Sequence, residues 1–428
     1  HNSTGSNNTA VGRDALQNNS TADSNTAVGE SALEENTTGT QNVAVGALAL
    51  ENNNANDNTA VGYSTMEENT TGTHNTAVGS FALEANTTGN ENTAFGKSAL
   101  GYNVSGDGNT ALGRSALSAN LANDNTAVGH DALYANTTGI RSVAVGAYAL
   151  DAVTTTSDNT AIGYQALTAS TTGQNNTAVG RNALGASQSG SNNVAVGRLA
   201  MAGANVTADN NVAMGYQALY ANIGGAGNIA LGTNAMVVNT TGGNNVAVGM
   251  NALDANTTGN YNTAIGGQAL TASTTASENV AIGYQCMDSL TTGHNNVAVG
   301  MKAMDDATTA VGNIAIGRYA LADLTDGTGN VAIGAYDGSA QPALRVNTGD
   351  NNTAIGSGSL SSNTTANNNT AVGYSALLAN TTGTSNTAVG YAALSSNTTN
   401  SHNTAVGYNA LLNNDAQYNT ACGKDAVL

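Results

Sequence analysis

The sequence contains few of the residues that build large globular cores and charged interfaces. Its 428 residues include one Pro, two Phe, two Cys and no Trp, and 9% of them are charged, against about 25% in an ordinary domain. Ten basic residues stand against 28 acidic ones, for a net charge of −18. This balance disfavours nucleic-acid binding, which needs basic side chains to displace counterions. No apolar run approaches the ~18 residues of a membrane-spanning helix, so we expect no membrane span.

The chain consists of many copies of one short sequence repeat. Variants of the motif N-[TV]-A-[VI]-G occur 25 times, and their glycines are 16 to 18 residues apart from Gly12 to Gly423, except for one interval of 22 between Gly334 and Gly356. The consensus unit is N-T-A-V-G-Y-x-A-L-x-x-N-T-T-G-x-x, which we number from its first Asn as positions 1 to 17. We therefore predict one continuous repeat array over residues 1–428, with a five-residue insertion loop within residues 335–351.

The unit has the length and residue types of one coil of a solenoid. β-Branched residues at positions 2 and 4 are typical of strands, and Asn-Thr-Thr-Gly at positions 12 to 15 is typical of turns. We predict an all-β fold, a parallel β-solenoid of about 25 coils of 17 residues, with a second short strand around the Ala-Leu pair at positions 8 and 9. The position-1 Asn side chains should form a ladder. At ~4.8 Å per rung the rod would be roughly 120 Å long.

The Ala at position 3 and the Gly at position 5 do not vary among the 25 copies. Small residues let another backbone approach closely, which favours side-by-side self-association, most simply as a trimer, through this small-residue face. Substitution of Ala144 and Ala281 by Leu should then disrupt assembly more than folding. The alternative is that the Gly turns a corner with positive φ.

The copies Ser142–Gly146 (SVAVG) and Asn279–Gly283 (NVAIG) resemble the head repeat of YadA-like trimeric autotransporter adhesins, and related repeats occur in phage tail fibres. The resemblance implies a left-handed parallel β-roll, a trimeric head and binding to host surfaces or matrix. It also implies an extracellular or cell-surface location, or a place in a virion fibre. The 17-residue period here is longer than the family's period of about fourteen, which implies a larger coil.

Catalytic chemistry is not evident in the sequence. Cys286 and Cys422 lie eight rungs apart, too far for a disulfide, and we interpret both as small core residues. No two of the five histidines fall on adjacent rungs; they are His1, His74, His130, His294 and His402. The abundant Ser and Thr residues therefore have no matching base. We therefore expect that the protein is not an enzyme and has no catalytic residue, cofactor or metal site. The one alternative to the absence of a metal site is a Ca²⁺ site.

That alternative rests on ordered charge. Position 10 is Glu on four consecutive rungs, with two further Glu at position 11: Glu34, Glu51, Glu67, Glu84, Glu35 and Glu68. Stacked carboxylates repel each other, so this edge is either solvated or binds Ca²⁺ or Mg²⁺ through its oxygens. Seven basic residues share position 6: Arg13, Lys97, Arg114, Arg181, Arg198, Arg318 and Lys424.

Nine turns carry Asn-Thr-Thr, which is formally an N-glycosylation sequon. The two interpretations are modification and plain turn chemistry, and the sequence leaves both open. The asparagines are Asn36, Asn69, Asn86, Asn136, Asn239, Asn256, Asn363, Asn380 and Asn397.

The insertion and the chain ends are the remaining candidates for contact with partners. The interrupted interval should extrude a loop at a corner of the solenoid, either a tolerated insertion or a receptor-contact loop with Tyr336, Pro342 and Arg345. His1 and Leu428 bound an integral number of repeats, so they are candidate assembly ends of a head-to-tail filament, unless the chain is a slice of a longer array. We expect an extracellular structural or adhesive fibre; the alternative is the receptor-binding head of a trimeric adhesin or a phage tail-fibre module. Host or environmental surface glycans are the expected external partners.

Overall fold

Twenty-five strands of three residues each, one per repeat, make up the regular secondary structure in a computed structural model of the chain. The structure describes residues 4–203, 205–336, 338 and 341–427, and within these ranges it contains no helix. The chain divides into two units, His1–Asn210 and Asn211–Leu428.

The first unit contains twelve strands. Each is parallel to the next along the chain, and the middle Ala of one strand lies opposite the middle Ala of its neighbour, as in Ala77 and Ala94. The strands are β1 (Thr9–Val11), β2 (Thr26–Val28), β3 (Val43–Val45), β4 (Thr59–Val61), β5 (Thr76–Val78), β6 (Thr93–Phe95), β7 (Thr110–Leu112), β8 (Thr126–Val128), β9 (Val143–Val145), β10 (Thr160–Ile162), β11 (Thr177–Val179) and β12 (Val194–Val196).

The second unit contains thirteen strands with the same parallel register, in which Ala264 lies opposite Ala281. The strands are β13 (Val212–Met214), β14 (Ile229–Leu231), β15 (Val246–Val248), β16 (Thr263–Ile265), β17 (Val280–Ile282), β18 (Val297–Val299), β19 (Ile314–Ile316), β20 (Val331–Ile333), β21 (Thr353–Ile355), β22 (Thr370–Val372), β23 (Thr387–Val389), β24 (Thr404–Val406) and β25 (Thr420–Cys422). The predicted all-β parallel β-solenoid with one coil per repeat is thus confirmed; its left hand stays a prediction.

The inner face of the sheet is the small-residue face. Ala144 and Ala281 are fully buried, whereas Leu112 and Ile265 on the opposite face are 50% and 38% exposed. The predicted association through the Ala/Gly face is therefore wrong, because these alanines pack inside their own coil. Substituting them with Leu would overfill the core before it touched any neighbouring chain.

The position-5 glycine turns the corner after the strand, as the alternative interpretation held. Gly146 has a φ of +132°, and a Cβ there would lie 2.5 Å from the carbonyl oxygen of Gly163 on the next rung. Both the left-handed backbone and the close approach require glycine. The backbone that comes close belongs to the same chain.

The predicted second strand around the Ala-Leu pair is wrong. The Leu side chains at position 9 are buried, but their backbone is left-handed, with a φ of 51° at Leu83, and position 7 is left-handed as well, with a φ of 61° at Phe81. The Leu83 N–H still donates to the carbonyl oxygen of Ala99 on the next rung, at 3.0 Å. An αL Leu costs about 1–2 kcal/mol, which this inter-rung bond and the burial of the side chain offset.

Two asparagine ladders fill the rest of the interior. At position 1, the predicted ladder is present: the Asn42 backbone N–H donates to Oδ1 of Asn25 at 2.9 Å, and Asn25 Nδ2 donates to the Gly39 carbonyl at 2.9 Å. At position 12, Asn86 Nδ2 donates to Asn69 Oδ1 at 2.7 Å. Because these amides are fully buried, each must find partners inside the coil, and the ladders supply them.

Candidate functional site

The insertion lies between the corner glycine and the Ala-Leu pair of one coil. Nine positions separate Gly334 from Ala343, where a regular coil has three, and the following turn is one residue shorter than usual. The Ala343 N–H donates to the Gly334 carbonyl at 3.3 Å, the bond that Ala82 makes to Gly79 in a regular coil at 3.2 Å. Ala343 is therefore in the register of a regular coil, despite the insertion before it.

The returning segment is anchored to the next rung. The Gln341 carbonyl accepts a hydrogen bond from the Gly358 N–H at 2.7 Å, and the Leu344 N–H donates to the Ser359 carbonyl at 3.0 Å. Of the three residues predicted for a receptor-contact loop, Pro342 is buried, Tyr336 is half-buried and Arg345 is exposed. The receptor-contact role itself stays a prediction.

Described residues of the insertion and of the preceding rung line a half-open cavity of about 320 Å³. Its lining includes all three residues of the predicted receptor-contact loop, together with three that the sequence did not single out for this role: Arg318, Tyr319, Tyr336, Gln341, Pro342 and Arg345. The additional residues were missed because they come from a different coil or from the middle of the insertion. A signal for Arg318 existed, since it is the position-6 cation on the coil just before the interruption.

Arg318 lies against two tyrosine rings. Its guanidinium carbon is 5.1 Å from the ring centre of Tyr319 and 5.6 Å from that of Tyr336, and the two rings meet edge to face at 6.2 Å and 81°. Such cation–π contacts contribute about 0.5–1 kcal/mol each at exposed sites. They hold the guanidinium beside the cavity.

Arg345 forms the other charged part of the wall. Its Nε lies 3.3 Å from Oδ2 of Asp323, its Nη1 donates to Oε1 of Gln341 at 3.0 Å, and its carbonyl accepts from the Asp323 N–H at 3.0 Å. Asp323 thus neutralises one of the two guanidiniums. Among the residues that the structure describes, Arg318 has no carboxylate partner within ion-pair distance.

Regular coils present the same residue types on the open surface. Arg181 lies over the ring of Tyr164, with its guanidinium carbon 5.9 Å from the ring centre. Tyr374, Tyr391 and Tyr408 stack in parallel, with successive ring centres 5.3 and 5.0 Å apart, so that each ring covers the face of the next. At the interrupted coil, Gln341, Pro342 and Arg345 add further walls to an Arg–Tyr contact.

The glutamate ladder shows mutual repulsion. Partial burial, followed by the neighbouring carboxylates Glu67 and Glu34, raises the pKa of Glu51 above its usual value, and burial with repulsion from Glu67 and Glu68 does the same for the pKa of Glu84. Within the described ranges, no group of three or more His, Cys, Asp or Glu side chains is arranged to hold a metal ion. The Ca²⁺ alternative at this edge stays a prediction.

The two cysteines differ in their surroundings. Cys286 is buried, as expected, and burial raises the pKa of its thiol to about 12, which makes the thiol unreactive at neutral pH. Cys422 is exposed, because position 4 faces outward, so its assignment as a core residue is wrong.

The nine sequon asparagines are all fully buried. Asn69, for example, donates from Nδ2 to Asn53 Oδ1 at 2.6 Å and to the Gly72 carbonyl at 2.9 Å. A glycan on Nδ2 would break both bonds and has no room inside the coil. The folded structure therefore favours turn and ladder chemistry over modification.

The exposed face of the sheet is apolar over much of the second unit. From β13 to β20, positions 2 and 4 are aliphatic or Met in every strand except for Thr263, and Ile265, Ile282 and Ile316 at position 4 are 38%, 36% and 39% exposed. We call these two rows of side chains the β13–β20 face. Eight rungs of two rows cover about 350 Å², which is within the size range of the largest apolar patch on a typical monomer, a patch that is often functional.

The predicted assembly ends, His1 and Leu428, lie outside the described residues, so head-to-tail stacking stays a prediction. No helix within the described parts of the chain is long and apolar enough to cross a membrane. No protein-family model matches this chain, and no curated protein matches its sequence.

Proposed function

We propose that this protein is a structural and adhesive fibre, not an enzyme, whose chains associate side by side through the β13–β20 face. The observation that carries the proposal is the exposed apolar sheet face, which repeats with every rung and is not interrupted by charge. By the resemblance of its repeat, the fibre works outside the cell, at a cell surface or in a virion.

A second copy of this chain is the occupant that fits the face. The side chains of the face recur at the rung spacing of about 4.8 Å, and a partner can interdigitate with them over eight rungs only if its own surface has the same axial repeat. A second copy of this chain has the same axial repeat because it has the same sequence. The resemblance to trimeric head repeats favours three chains around an axis parallel to the solenoid.

An adhesive head or tail-fibre module is the second candidate. The observation that favours it is the cavity at the interrupted coil, the one place where the repeat spacing departs from 16 to 18 residues. A fibre with only a structural role does not need a cavity lined by two guanidiniums. The two candidates are compatible, because a fibre that associates through the sheet leaves the corner of the coil free.

Sedimentation velocity of the full chain tests the association. We expect the wild type to sediment as an oligomer, and the double variant Ile265→Lys/Ile282→Lys to sediment as a monomer with unchanged circular dichroism. Thr258→Lys, an exposed position in the Asn-Thr-Thr-Gly turn, adds the same charge away from the face and should leave the oligomer intact. A wild-type chain that is monomeric at micromolar concentration contradicts the proposal.

A further inference from the structure

The cavity at the interrupted coil has a chemistry that differs from the rest of the surface. The chain has 10 basic residues against 28 acidic ones, yet this one cavity is lined by two arginines. Asp323 pairs with Arg345, and among the described residues no carboxylate lies within ion-pair distance of Arg318. Of the two arginines in the described lining, Arg318 is therefore the one to consider for an anionic ligand.

The geometry points to an acidic sugar, one that bears a carboxylate or a sulfate, as the ligand of this cavity; the inference rests on the adhesive part of the proposed function. A guanidinium takes a carboxylate or sulfate through two parallel N–H bonds. The contacts of Arg318 with the rings of Tyr319 and Tyr336 hold its guanidinium at the cavity wall, and among the described residues no carboxylate occupies its N–H groups. Arg318 is thus the anion-binding residue.

The rest of the lining suits the body of a sugar better than a bare ion. The Tyr rings and Pro342 give an apolar wall for the C–H face of a pyranose, while the Tyr hydroxyls and the Gln341 amide can both donate and accept hydrogen bonds with sugar hydroxyls. The volume of about 320 Å³ is at the small end of the range of ligand pockets, so it holds a small part of a glycan. The oligosaccharide would continue outward from the cavity.

Isothermal titration calorimetry on the full chain tests this, with three tetrasaccharides. A hyaluronan tetrasaccharide carries carboxylates, a keratan sulfate tetrasaccharide carries sulfates, and its unsulfated N-acetyllactosamine counterpart is neutral. We expect at least one anionic ligand to bind tenfold or more tightly than the neutral one, and the stronger of the two identifies the anionic group. Equal affinity for all three, or no binding, would overturn the inference.

Matched variants locate the binding. Arg318→Gln should weaken the anionic ligand tenfold or more, and Arg318→Lys, which keeps the charge but loses the fork, should weaken it less. Arg181→Gln removes the same Arg–Tyr contact from a regular coil and should leave the affinity unchanged. An equal loss in the Arg181 variant, or competition by inorganic sulfate as strong as that by the tetrasaccharide, would show nonspecific anion binding and overturn the inference. Sedimentation of Arg318→Gln separates this result from fibre assembly, which the variant should not alter.

Discussion

Two coils that carry an arginine against tyrosine differ in what they build. In the regular coil, Arg181 lies over Tyr164 on the open surface, and the chain turns at Gly180 directly into the buried Ala-Leu pair. At the interrupted coil, Tyr336 shares a cavity with Arg318 of the preceding coil and with residues that the insertion adds. The comparison shows that stacking fixes almost every position of a regular coil, whereas the corner between positions 5 and 8 accepts new residues and can acquire a site.

Breaking a regular corner should give the largest effect. Gly146→Ala places a methyl group 2.5 Å from the Gly163 carbonyl oxygen at a φ of +132°, and we expect the chain to lose about 3 kcal/mol or more from strain and displacement of the next rung. Thermal melting followed by circular dichroism measures it. The control, Gly224→Ala, meets its nearest atom at 3.9 Å and should melt like the wild type. Equal melting of the two variants would contradict the stacked corner.

Removing one member of the inner ladder should give the next largest effect. Asn69→Ala removes the three side-chain hydrogen bonds that join Asn69 to Asn53, Gly72 and Asn86, and the loss of these buried bonds should cost about 1–3 kcal/mol. Thr71→Ala destroys the same sequon at an exposed position and should cost little. Urea unfolding compares the two variants. If both lose the same stability, the sequon rather than the ladder matters.

Removing the insertion should have a small effect on stability and a complete effect on the cavity. Deletion of residues 337–342 brings Tyr336 to position 7 and restores the regular spacing between Gly334 and Ala343. We expect the free energy of unfolding to change by about 1 kcal/mol or less, because the entropic cost of closing a surface loop rises only slowly with its length. Binding of acidic tetrasaccharides should disappear. A deletion variant that fails to fold would show that the insertion supports the coil.

The glutamate ladder should give the smallest effect, visible in its pH dependence. The pKa of Glu51 is raised by burial and by its neighbours, so the folded carboxyl holds its proton more tightly than the unfolded one. The destabilisation of the folded state by the ionised Glu51 is therefore fully present above its raised pKa. It is lost as the pH falls below the ordinary value of 4.5. Glu51→Gln should stabilise the chain at pH 7 by about 0.5 kcal/mol and by less at pH 4.

The melting temperatures of Glu51→Gln and of the wild type at both pH values measure that difference. Glu91→Gln, an exposed glutamate outside the ladder, is the control for removal of one negative charge. An equal gain in both variants at pH 7 would point to net charge rather than to repulsion within the ladder.

The sequence predicted the repeat, the parallel register and the first Asn ladder, because each follows from identical residues at a fixed period. It did not predict which face of the strand is inside. Alternation separates Ala144 from Val145, but only the width of the coil decides that the small side chain is buried. Size alone suggested the reverse, since large apolar residues usually form cores.

Two other features could not be derived from residue preferences. Leu83 adopts a left-handed backbone that leucine rarely takes, because inter-rung bonds hold it there. Arg318 joins Tyr336 and Arg345 through the stacking of coils and the path of an insertion, and neither can be read from local pattern. The recurrence of basic residues at position 6 predicts that Arg318 lies on the surface. Only the folded structure shows that it also lines the cavity.

The most direct test of association through the β13–β20 face is cysteine cross-linking. In a chain with Cys422→Ser, Ile265→Cys places a thiol on the face and Thr258→Cys places one in the turn that precedes this strand, while the buried Cys286 stays unreactive. Copper-phenanthroline oxidation followed by non-reducing electrophoresis reports intermolecular disulfides. The account predicts covalent oligomers for Ile265→Cys and monomers for Thr258→Cys; cross-linking only through Thr258→Cys, or equally through both, would contradict it.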